Sequence, residues 1–514
     1  MNGAESLVRT LVAGGVDVCF SNPGTSEMHF VTALDRVEGM RCILGLFEGV
    51  VTGAADGYAR MTDKPAATLL HLGPGLANGM ANLHNAHKAS SAIVNIVGDH
   101  AVYHRRYDAP LTSDIESAAK TVSSWVRTSP DAKSVAADGA AAIAAALTAP
   151  GQVATLILPA DTAWNEGEGV APLPPMESLK QVSKEAVTEA ARVLRSGEPT
   201  VILLGGRALR QGALELAGKI AAKTGARLIA EGSVARTERG AGRVAVSRLP
   251  YPVDQALDML KDVRQLILVG SRTPVAFFAY PNKPSLLVPK ECESHLLARR
   301  SDDIAHALEW LADEVGVRRE KAPIVPYAKA ALATGAITPE TLGQSLGALL
   351  PENAIVADES ITTGRGFAKA TRASRPHDWL QNMGGSIGLC MPLSVGAAVA
   401  CPDRKVVSLE SDGSGMYTLQ ALWTQAREKL DIVTLIFANR TYAILRHELT
   451  NVGAQNVGRK ALDMLDIDRP DLDWVAMARG MGVPGTRVET MEAFNASFAD
   501  AVATRGPSLI EVVL

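Results

Sequence analysis

A chain of 514 residues with 47% hydrophobic and 21% charged side chains is long enough for about three ordinary cores and too apolar for global disorder. A net charge of −4, with no basic run or basic–aromatic stripe, argues against a nucleic-acid or anionic-membrane surface. No stretch approaches the roughly 18 apolar residues of a membrane span, and the first twenty residues carry no signal-type apolar core, so a cytoplasmic protein is expected.

From the N-terminus, the pattern predicts a helix over Ala4–Ala13, a strand over Val16–Phe20, a helix over Glu48–Ala59 and a strand over Ala66–Leu72. A helix over Ala77–Ala89 and strands over Ile93–Val97 and Ala154–Leu158 complete a first α/β unit, 1–175, closed by the Pro-rich stretch 171–179. A second unit, 185–320, has strands at Thr200–Leu204, Arg227–Ala230 and Gln265–Val269, with a helix ending near Ala222. A linker over 318–336 leads to a third unit, 338–514, with strands at Ala354–Ala357, Lys405–Leu409, Ile432–Ala438 and Ser508–Val513. The alternation predicts three doubly wound parallel sheets, with ligands at the carboxyl ends of the strands. Five scattered cysteines (Cys19, Cys42, Cys292, Cys390, Cys401) form no C-x-x-C pair and read as free thiols.

Six segments carry chemistry. In SDGSGMYTLQALWTQAREKLDIVTLIFANRTYAIL (411–445), an apolar strand runs into Asp412-Gly413-Ser414 and a second ends at Asn439. Emerging on one sheet edge, a carboxylate and an amide oxygen suit a hard cation such as Mg2+, which fills its shell with waters and phosphate oxygens. In LFEGVVTGAADGYAR (46–60), Glu48 stands in an apolar stretch followed by small residues. GGSIGLCMPLSVGAA (384–398) places Ile387 among glycines, with ADESITTG (357–364) offering the hydroxyls of Thr362 and Thr363. SNPGTSEMHF (21–30) and HLGPGLANGM (71–80) carry Thr25 and His71 after predicted strands.

Together these segments resemble thiamine-diphosphate enzymes of the benzoylformate decarboxylase and acetolactate synthase group, over essentially the whole chain. The resemblance implies a pyrimidine-binding, a central and a diphosphate-binding domain. It implies Mg2+ ligands at Asp412, Asn439 and the Thr441 carbonyl, although Ser411 and Arg440 depart from the usual motif. It implies that Glu48 bonds N1′ of the aminopyrimidine and promotes the imino tautomer that removes the C2 proton, and that Ile387 enforces the bent cofactor conformation. Thr362, Thr363, Gly385, Gly413, Ser414, Tyr442 and Ala443 are implied to line the cofactor, and Thr25 and His71 the substrate cavity.

The implied activity is decarboxylation or carboligation of a small 2-oxo acid through a C2 ylide and an enamine. Sites are implied between subunits of a homodimer or homotetramer. Alternatives are an acetolactate synthase-like subunit condensing pyruvate and a non-catalytic regulatory paralogue. His71 leans to decarboxylases and Gly73-Pro74-Gly75 to synthases, whereas Pro110, Leu111 and Thr112 replace a block usual in synthases. LLGGRALRQGALEL (203–216) lacks a full dinucleotide fingerprint, so FAD is not expected. Phe277, Phe278 and Tyr280 read as an apolar cavity wall or as core.

Overall fold

Apolar runs of five to seven residues, bounded by glycine, proline or polar turns, become strands buried on both faces, as parallel sheets require. The computed structural model describes residues 1–514 and builds them around three sheets. The first holds β1 (Val18–Asn22), β2 (Arg41–Leu44), β3 (Ala66–Leu70), β4 (Ile93–Asp99), β5 (Trp125–Thr128) and β6 (Val153–Pro159). They lie in the order β2-β1-β3-β4-β6-β5, all parallel. Helix α1 (Glu48–Thr62) follows β2, and α2 (Leu72–Ala89) follows β3. The predicted helix at 77 thus begins five residues earlier, and Gly73-Pro74-Gly75 forms its first turn, where proline costs no hydrogen bond.

The central unit supplies β7 (Thr200–Leu204), β8 (Arg227–Ala230), β9 (Thr237–Arg239), β10 (Ser247–Arg248), β11 (Gln265–Val269) and β12 (Glu293–Ala298). Five of these form a parallel sheet, β10-β8-β7-β11-β12. β9 leaves it and pairs antiparallel with the third sheet, Thr237 opposite Trp379. That sheet contains β13 (Ala354–Glu359), β14 (His377–Gln381), β15 (Val406–Ser411), β16 (Ile432–Ala438), β17 (Gly485–Val488) and β18 (Ser508–Val513). Its order is β17-β18-β16-β15-β13-β14-β9.

The first and third units meet through α1 and α3 (Cys390–Ala400), whose facing positions are small. A Cβ added at Gly57 would sit 2.1 Å from the Leu393 carbonyl oxygen, and one at Gly396 would sit 1.8 Å from that of Ala54. One continuous hydrophobic cluster therefore runs through both units. No helix is long and apolar enough to cross a membrane.

Candidate active site

At the carboxyl edge of the first sheet, β1 leads to Thr25, β2 to Glu48 and β3 to His71. Thr25 is exposed at the start of a short 3-10 turn. Glu48 is the first residue of α1, where the helix dipole favours a carboxylate, and is only 7% exposed. Its Oε2 accepts a hydrogen bond from Asn78 Nδ2 of α2 at 3.0 Å. His71 lies between β3 and α2, with Nδ1 2.7 Å from Oε2 of the buried Glu27. The same oxygen accepts the Gly24 N–H at 2.8 Å. A Cβ at Gly24 would lie 2.2 Å from His71 Nδ1, so only glycine lets the turn close over the ring. Burial raises the Glu27 pKa, against the lowering effect of His71 and the Gly24 amide.

At the carboxyl edge of the third sheet, neighbouring strands β15 and β16 end at Asp412 and Asn439. Asp412 is buried, and its carboxylate accepts the amides of Gly413 at 2.9 Å and Arg440 at 2.6 Å. Burial nevertheless pushes its pKa up to about 6. Asn439 Oδ1 accepts the Thr441 N–H at 3.1 Å. Thr441 is fixed in turn by its hydroxyl, which donates to the Leu465 carbonyl at 2.8 Å and accepts from Arg446 Nε at 3.0 Å. The Tyr442 ring packs on Gly413, where an added Cβ would meet it at 2.6 Å. Ala443 begins helix α4 (Ala443–Asn451), which has no buried residue. Ser414 is buried and donates its hydroxyl inward to Glu410.

The glycine-rich loop before α3 is organised by Glu359, at the end of β13. Its Oε2 accepts the amides of Gly388, Leu389 and Cys390 at 3.0, 2.9 and 3.1 Å, and its Oε1 accepts Asn382 Nδ2 at 2.8 Å. Burial holds this carboxyl above the usual range, and burial plus the Glu359 charge raises the neighbouring Glu410 further. Ile387 is half-buried in this loop, Thr363 is buried and Thr362 half-buried beside it. Gly385 (φ +80°) lies against Phe277, with an added Cβ only 2.7 Å from the ring tip. Phe277 and Phe278 are each 53% exposed, so the alternative that they are core is overturned. They stand edge to face at 4.9 Å, facing solvent above Gly385.

Two edges thus carry the predicted residues: Thr25, Glu48 and His71 on one, the remainder on the other. Residues 1–120 match the N-terminal TPP binding domain of thiamine pyrophosphate enzymes, and residues 362–512 match the C-terminal TPP binding domain. A Mycobacterium tuberculosis protein named "Putative acetolactate synthase large subunit IlvX" is 54% identical, covering 100% of this chain and 99% of its own. The chain belongs to the thiamine pyrophosphate enzyme family. A benzoylformate decarboxylase of Pseudomonas aeruginosa is 30% identical over 97% of this thiamine enzyme and 96% of its own length. Among solved structures, the thiamine diphosphate-dependent 4-hydroxybenzoylformate decarboxylase of Rhodococcus jostii superposes with a TM-score of 0.87 at 25% identity, covering 99% of this chain and 98% of that one.

Three residues that contact the candidates or their loops escaped the sequence reading. Glu27 stands two residues after Thr25 in a segment already singled out, but its partner His71 is 44 positions away. Asn78 sits one helical turn after Pro74 and reads as a surface amide. Glu359 lies inside ADESITTG, and its position at a strand's carboxyl end was the available signal.

Proposed function

We propose that the protein is a thiamine-diphosphate- and Mg2+-dependent decarboxylase of 2-oxo acids that also ligates carbonyl compounds. What carries this reading is the Glu27–His71 pair on the same sheet edge as the buried Glu48. An edge built only to hold cofactor has no need of a second, carboxylate-held proton carrier.

The residues present fit the cofactor and metal. Asp412 is a buried carboxylate already surrounded by amide donors, and the Asn439 amide and Thr441 carbonyl complete an oxygen-only set suited to Mg2+. Gly385, Gly413, Thr362, Thr363, Tyr442 and Ala443 would line the diphosphate, with Ser414 contributing main chain, because its hydroxyl is committed to Glu410. Thiamine diphosphate supplies the electron sink for the carbanion left when a 2-oxo acid loses CO2.

Glu48 would bond the pyrimidine N1′ and hold or release a proton there, with Asn78 fixing the carboxylate's orientation. Ile387 would support the cofactor from beneath. His71, held through Nδ1 by Glu27, keeps Nε2 to deliver a proton to the product carbon, while Thr25 lines the same cavity. The exposed Met28 and Leu46 near Thr25 and Glu48, and the exposed Met416, Tyr417 and Leu445 near Asp412, favour sites closed by a second copy of the chain.

Acetolactate synthesis is the second reading, favoured by the printed name of the 54% identical relative. The discriminating experiment measures CO2 and aldehyde from benzoylformate, and acetolactate from pyruvate, with and without thiamine diphosphate and Mg2+. Glu48→Gln is expected to lower turnover at least a hundredfold; full turnover in that variant would sink the assignment. Acetolactate as sole product would transfer it to the second reading.

A further inference from the structure

The edge of the central sheet faces the start of the third unit across a cleft of about 740 Å³. One wall comes from β8, β10 and the helix Gln211–Thr224, the other from Arg365–Arg372 and Trp379. Five cations line it, Arg239, Arg248, Arg365, Lys369 and Arg372, and no aspartate or glutamate does. Neighbouring arginines outside the cleft are paired, Arg236 and Arg404 both with Asp378 at 2.5 Å. The five are in no ion pair. Arg239 makes one hydrogen bond, to the Ala368 carbonyl, and its guanidinium lies 5.0 Å over the Trp379 ring. Asp358, the one carboxylate acting on Arg239, is engaged by Trp379 Nε1 and the Ser360 amide, both at 3.1 Å.

Gathering like charges in a partly desolvated cleft is unfavourable unless something offsets it. Burial, with the charge of Arg248 adding to it, pulls Arg239 down to about 10. Arg365 lies in the 3-10 turn Thr363–Gly366, Lys369 in the short helix Phe367–Ala370 and Arg372 in the turn just after it, and all three line the cleft. Opposite them, Leu228, Val244, Val246 and Met259 provide an apolar floor. The volume lies in the range of small-ligand sites, roughly 300–1,000 Å³.

The cleft is separate from both sites a thiamine enzyme of this architecture would use. None of Glu48, His71, Asp412 or Asn439 lines it. Nor do Gly205, Gly206 or Gly270, at the carboxyl ends of β7 and β11, although Ala230 and Arg248, the last residues of β8 and β10, do. That edge is bridged by Arg300, which bonds Glu231 at 2.6 Å and the Gly270 carbonyl at 3.1 Å.

We propose that this cleft binds a phosphorylated anion of nucleotide size, its phosphates held by the Arg365–Arg372 face with Arg239 and Arg248, and its base or thioester arm laid on the apolar floor. Its place suits an effector: Thr362 and Thr363 immediately precede the cationic face.

The test is calorimetric titration of the full chain saturated with thiamine diphosphate and Mg2+, so that the diphosphate site is filled. ADP, coenzyme A and inorganic pyrophosphate are the probes, with cofactor-free protein titrated in parallel. ADP or coenzyme A is expected to bind once per chain, the tighter of the two identifying the source. Lys369→Glu with Arg372→Glu, both exposed positions, is expected to weaken binding at least tenfold, with melting temperature and cofactor affinity unchanged. Absence of binding by all three probes at millimolar concentration overturns the proposal, as does equal binding by the variant. So does binding only to cofactor-free protein, because the probe is then occupying the thiamine diphosphate site. A change of oligomeric state in the variant without probe binding also overturns it, by assigning the cations to a second copy.

Discussion

A single buried carboxylate, Glu27, governs how His71 is presented. Glu27→Gln keeps an acceptor for the imidazole but removes the negative charge beside it. A fall in kcat of about 10- to 100-fold with little change in KM is expected, a part of the roughly 100- to 10,000-fold that general acid catalysis contributes. Since burial raises Glu27, the acid limb it causes in the pH–rate profile lies above the ordinary carboxylate range and disappears in the variant. Steady-state kinetics across pH checks both, and an unaltered profile would confine Glu27 to closing the Gly24 turn. Arg440 presents a different residue-scale effect, holding φ at +56° while its amide serves Asp412. Arg440→Asn keeps that amide in a side chain type tolerant of left-handed backbone, and loses only an exposed 3.7 Å contact with Asp471. A gain of about 1 kcal/mol in chemical denaturation is expected. As candidates, Asp412 and Asn439 were legible because each follows an apolar strand, and Glu48 because its segment carries the family resemblance. Glu27, Asn78 and Glu359 were not, since each is defined by a partner brought in by the fold.

At the scale of elements, the α1–α3 contact is the tightest joint between the first and third units. Gly396→Ala drives a methyl group into the Ala54 carbonyl, and relief requires the helices to separate. Such overpacking costs about 1–3 kcal/mol, to be seen as a lower urea midpoint. Strands such as β4, β7, β11, β15 and β16 were readable in advance because burial on both faces demands unbroken apolar runs. β2, β5 and β9 were not. β2 and β5 are short edge strands with exposed positions, and β9 has three residues whose pairing lies in another unit. α4 was likewise illegible as a distinct helix, because it buries no face within the chain and leaves no periodic apolar stripe.

For the whole molecule, His377 on β14 sets an acid limit. It is 4% exposed; its Nδ1 donates to the Arg375 carbonyl at 2.7 Å, and Nε2 is buried without a partner. Burial, reinforced by Arg239, lowers its pKa to about 3. An unfolded histidine takes up a proton near pH 6.5. Its contribution to stability is therefore complete above that pH and lost as pH falls from about 6.5 towards 3, at most about 4–5 kcal/mol. His377→Gln should flatten the acid side of a plot of melting temperature against pH. The three-unit order was foreseen from alternating patterns, but the crossing of β9 into the third sheet was not, as a three-residue strand leaves almost no sequence trace. That crossing has a consequence for ancestry and engineering. A cut in the linker over 318–336 does not separate two self-sufficient modules, because the downstream piece would lack its border strand and expose the backbone of β14 for adventitious pairing. Recombination that swaps the central unit must therefore carry a fitting Thr237–Arg239 with it, which makes these two units one inheritable block.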